Sequence, residues 1–100
     1  MDNMLSILFK SPSDILEELG ERAKTARLVL GWTRKTLAMK SGIPEPTIKR
    51  FELTGQIGTA ALLHIALALD MVEGLESLFA PKPLNSMAEV TAKTRKRGHL

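Results

Sequence analysis

One hundred residues, 44% of them hydrophobic and 25% charged, suit one small globular domain and not a disordered chain. The chain has no cysteine, which excludes disulfides and thiol chemistry, and its two histidines offer little for a metal centre. The net charge of +3 hides a block: residues 22–50 carry Arg22, Lys24, Arg27, Arg34, Lys35, Lys40, Lys49 and Arg50 against one acid, Glu45, while 1–21 and 51–80 are net acidic. A localised positive block suits a polyanion-facing side, since phosphate contacts supply most nonspecific affinity for nucleic acid.

Residues 1–10 read as an N-terminal extension with the apolar run Met4, Leu5, Ile7, Leu8 and Phe9. It opens with an acid, is short and lacks a small-residue cleavage site, unlike a secretory signal. No segment has the length of a membrane span, so the expected location is the cytoplasm, at the nucleoid. The run can fold back on its own chain, join a dimer interface or bind a partner protein.

Residues 11–80 form the expected domain. Ser11 caps a first helix over about 12–30, Pro12 suits its first position and Asp14 complements its dipole. Ile15, Leu16, Leu19, Ala23, Ala26 and Leu30 recur at helical spacing; Gly20 weakens the run and Gly31 ends it. Thr33 caps a second helix through Lys40, which stops at Gly42. A third begins near Glu45 or Pro46 and runs to Thr54, closed by Gly55; proline is tolerable in a first turn. Gln56-Ile57-Gly58 is a loop. Thr59 caps a fourth helix, apolar on more than one face and so expected to be buried centrally. After a break at Asp70 and Met71, a short fifth helix covers 72–79, with Leu75, Leu78 and Phe79 available for packing. Residues 81–100 form a C-terminal tail. Ser86 to Glu89 has capping-box spacing for a marginal sixth helix through Lys93, and a basic ending follows. The fold class is all-α, a compact five-helix bundle.

The stretch from Thr33 to Glu52 carries the functional signal. It reads as two short helices joined by a tight turn at Ser41-Gly42-Ile43. Leu37 and Ala38 are apolar on one side of the turn, Ile48 and Phe51 on the other; Arg34, Lys35, Lys49 and Arg50 fill the remaining positions. Such a helix-turn-helix lays its second helix in the DNA major groove while the first crosses the backbone. Arg50 is the candidate for reading guanine, because its fork matches O6 and N7; a phosphate contact is the alternative. Lys49 meets phosphate or water. Glu45 either accepts from cytosine N4 or serves only the helix start. Trp32 reads as a core or lid residue, and His64 and His99 have no companions at metal-ligand spacing.

From Leu19 to Pro81 the chain resembles the Cro/repressor-type (xenobiotic-response-element) helix-turn-helix family. The resemblance is carried by Leu19-Gly20, Arg27, Gly31-Trp32-Thr33, Leu37-Ala38, Ser41-Gly42-Ile43, Thr47-Ile48, Phe51-Glu52, Gly55 and Leu62 to Leu69. It implies a five-helix bundle, with Thr33 capping the second helix and Arg34 touching a phosphate. By the same resemblance Glu45, Pro46, Lys49 and Arg50 lie on the exposed, DNA-facing side of the third helix and Arg27 pairs with Glu52; Lys35 and Thr47 join them as candidate DNA-binding residues. Two positions depart from the pattern: Arg34 is commonly Gln, and Pro46 is commonly polar. Pro46 offers only apolar contact, for instance to a thymine methyl.

A narrower resemblance, on Thr47 to Ile57, Leu75 to Pro81 and the Arg-Lys-Arg-Gly ending, is to HipB-type antitoxins. It implies an autorepressor that binds double-stranded operator DNA as a homodimer with a HipA-like kinase toxin alongside. The alternatives are a phage-type repressor with no toxin partner, or an antitoxin that acts mainly through protein interaction. No Gly-rich phosphate loop or metal-ligand cluster appears, and Glu17 and Glu18 are surface acids, so neither an enzyme nor a cofactor is expected.

Overall fold

The computed structural model describes residues 10–82, so most of the N-terminal extension, the sixth-helix segment and the basic ending lie outside the described residues. The described residues are helical, with no strand: α1 Pro12–Val29, α2 Arg34–Ser41, α3 Glu45–Thr54, α4 Thr59–Ala68 and α5 Glu73–Ser77. None of these helices is long and apolar enough to cross a membrane.

Local chemistry starts and stops these elements. At the head of α1 a reciprocal capping box forms: the Asp14 amide donates to Ser11 Oγ at 3.1 Å, and the Ser11 amide to Asp14 Oδ2 at 3.2 Å. Thr33 caps α2 by accepting from the Thr36 amide at 3.1 Å. Gly42 ends α2 at φ +77, a left-handed conformation that a side chain would strain. Pro44 then turns the chain without a side-chain cap, and its carbonyl accepts from the Thr47 and Ile48 amides.

One aliphatic core joins the bundle: Ala26 of α1, Leu37 of α2, Ile48 and Phe51 of α3, Ile65 of α4 and Leu69 just beyond it. Trp32, Leu19, Ile43 and Ile57 pack around it, half-buried. The most extensive helix contact is α1 on α3, and α2 packs on both α3 and α4. Gly20 explains the first of these. A Cβ there would stand 2.3 Å from the Phe51 carbonyl oxygen, so the two backbones touch. At Gly55 the same is true from the other side, with a Cβ meeting the Leu16 carbonyl, and φ is +80.

Three expectations need correction. Thr59 does not cap α4: Gly58 is the cap residue, its carbonyl accepts from the Leu62 amide, and Thr59 is already helical. Nor is α4 buried centrally. Only Ile65 is enclosed, while Leu63 and Leu67 are exposed, because a core this small engages one side of the helix. The fifth helix is shorter than 72–79; Leu75 is half-buried, but Leu78 and Phe79 lie past its end, Phe79 at 94% exposure.

Candidate nucleic-acid interface

Helix α3 has two unlike faces. Ile48, Phe51 and Glu52 turn inward. Glu45, Pro46, Lys49, Arg50 and Leu53 form an exposed stripe at helical spacing, with Thr47 half-buried at its edge. Leu53 is 59% exposed on that stripe, an apolar neighbour for Arg50 that sequence reasoning passed over.

The inward side is fixed by a charge cluster. Glu52 Oε2 accepts from Arg27 Nε at 2.7 Å, and Oε1 from Arg27 Nη2 at 3.0 Å, a bidentate pair. Oε1 also accepts from Arg34 Nε at 2.9 Å. Arg27 Nη1 donates to the Trp32 carbonyl at 2.8 Å. Burial pushes the Glu52 carboxyl up, but the hydrogen bonds and charges of Arg27, and then of Arg34, outweigh it and hold the group below the ordinary carboxylate value. The cluster thus ties α1, α2 and α3 together. The pairing of Arg27 with Glu52 was expected; that of Arg34 was not. Arg34 is half-buried and commits its Nε inward, so only the rest of its guanidinium remains for an outside partner.

Around the turn, Lys35 is exposed on α2 and the Thr33 cap is exposed before it. Lys40 places its ammonium 4.9 Å from the centroid of the Trp32 ring, which covers the core as a lid. At the far end of α3 the structure adds a residue that was read only as loop. Arg50 Nη2 donates to Gln56 Oε1 at 2.7 Å, the Gln56 amide donates to Thr54 Oγ1 at 3.0 Å, and Thr54 Oγ1 donates to the Arg50 carbonyl at 2.8 Å. These bonds hold the Arg50 guanidinium beside Gln56. Only the spacing of Arg50 and Gln56 on either side of the Gly55 cap signals it in the sequence.

The site therefore holds cations, one acid (Glu45) and one amide at the surface, on a helix clamped from behind. Among the described residues no group of His, Asp and Glu is placed to hold a metal ion. His64 is exposed on α4. Comparison with protein-family models and with curated proteins finds no match to this chain.

Proposed function

We propose that this protein is a sequence-specific DNA-binding transcriptional repressor, without catalytic activity, whose α3 enters the major groove of operator DNA. The reading is carried by the two faces of α3: a buried carboxylate and apolar residues hold it from behind, and Lys49 and Arg50 stand exposed in front. Arg50 reads a guanine, steadied by Gln56. Lys35, Lys49 and the outer amino groups of Arg34 meet phosphates. Pro46 and Leu53 give apolar contacts to base methyl groups. The protein acts as a homodimer in the cytoplasm, at the nucleoid, and the HipB-type resemblance adds autoregulation of a toxin–antitoxin operon with a HipA-like kinase as partner.

Titration of the full chain with DNA from upstream of its own gene tests this. The native protein forms a discrete complex that competitor DNA does not remove. Arg50→Ala loses about 1–3 kcal/mol of discrimination at one base pair, and Gln56→Ala a smaller loss at the same pair. No complex in dilute buffer, or an Arg50→Ala protein with native selectivity, overturns the reading.

A further inference from the structure

An open groove of about 370 Å³ runs between the C-terminal half of α1 and the chain leaving α4. Its floor is aliphatic: Ala26, Val29, Leu30, Leu69 and Met71. On α1 the apolar surface does not stop there. Ile15, Leu19, Ala26 and Leu30 fall at i, i+4, i+11 and i+15, with the stem of Arg22 between them, so one stripe runs from the head of the helix into the groove. Ile15 is 51% exposed, Leu30 47% and Val29 79%, more apolar surface than packing within the described residues accounts for.

We propose that the chain's own N-terminal segment, Met4 to Phe9, lies back along this stripe and brings its leading end, Met4 and Leu5, into the groove. Direction, reach and charge select this occupant. Lys10 precedes the helix, yet its Nζ lies 2.9 Å from the carboxylate of Glu18, two turns inside α1. The Lys10 side chain therefore runs along α1 toward the groove. Glu18 shares its side of the helix with Arg22, Thr25 and Val29, at i+4, i+7 and i+11. Thr25, on the groove wall, stands about 21 Å along α1 from Ser11. The six steps from Lys10 to Met4 extend about 20 Å. Leu5 then falls beside Arg22 at the near rim, Met4 beside Thr25, and Phe9 near Ile15.

From Asn3 to Phe9 no side chain is charged, so the segment brings no charge onto an aliphatic floor. Residues 83–100 carry Glu89, Lys93, Arg95, Lys96 and Arg97 and never two large apolar residues together, which suits that floor poorly. A second copy about a two-fold axis would set hollow against hollow.

The full chain has no cysteine, so a pair placed by substitution reads the contact directly. Leu5→Cys with Arg22→Cys, oxidised in dilute solution, should close a disulfide within one chain, which needs the two Cα atoms within about 7 Å. Leu5→Cys with Lys24→Cys, at nearly the same height on the opposite side of α1, should close it about tenfold more slowly. In the cysteine-free chain, Met4→Ser with Leu5→Ser should lower the melting temperature by about 4–8 °C, equally at every protein concentration. A disulfide between two chains, the sign of a second copy in the groove, overturns the proposal. So do equal rates for the two cysteine pairs. A native melting temperature in the Met4→Ser, Leu5→Ser chain overturns it too, and leaves the groove to another protein. None of these measurements involves DNA, so a chain that passes them yet binds no operator keeps this surface and loses only the DNA-binding reading.

Discussion

Glu52 is the residue on which the arrangement of α3 turns. Its side chain is 1% exposed and accepts from two arginines. Replacing it strands Arg27, and partly Arg34, so Glu52→Gln should cost about 3 kcal/mol or more in urea denaturation. Because the folded carboxyl titrates below its ordinary value near 4.5, the stabilisation is fully present above that pH. It is lost as pH falls through the lower, folded value. Stability of the native chain should therefore drop steeply below about pH 4.5, and that of Glu52→Gln less so, as thermal melts across pH will show. Residue chemistry explains what was readable here. Arg27 and Glu52 lie on facing apolar helices and were paired by resemblance, but the third partner, Arg34, sits at a position where a free surface cation is equally consistent with the sequence. Gln56 was hidden for a similar reason, since a loop glutamine has no pattern until the turn at Gly55 brings it back to Arg50.

At the scale of elements, the start of α1, both ends of α2 and the end of α3 followed from their caps: Ser11, Thr33, Gly42 and Gly55 each have one physical reading. Helix α4 did not, because a run apolar on every side states how much could be buried but not which side finds a neighbour. Gly20 is the clearest case of meaning that spacing cannot supply. In helical propensity it is a weak point, and Ala would gain about 1 kcal/mol. In the packed bundle it is where α1 meets the backbone of α3, and a carbonyl oxygen cannot swing aside as a flexible side chain does. Gly20→Ala should thus destabilise by about 1–3 kcal/mol net, measured by chemical denaturation.

Over the whole molecule, the proposed DNA contacts depend on how the fold distributes charge. The basic block of 22–50 is divided by the fold. Arg27 is consumed inside and Arg34 half consumed, whereas Lys35, Lys49 and Arg50 remain at the surface near the turn. A count of cations along the chain therefore overstates the number that reach phosphate. On the proposed DNA-binding reading, operator affinity should fall linearly on a log–log plot against salt. Lys35→Ala should reduce the slope by about one unit for each bound copy, measured by fluorescence anisotropy. An unchanged slope would remove Lys35 from the set of phosphate contacts.

The cluster of Arg27, Arg34 and Glu52 also bears on how genetic data for this protein would sort. If the proposed repressor function holds, a selection for escape from repression would return changes at Arg27 and Glu52 beside changes at Lys49 and Arg50, although Arg27 and Glu52 are buried. Protease sensitivity of each escaped chain separates the two kinds: the first is cut readily in the absence of nucleic acid, and the second stays intact.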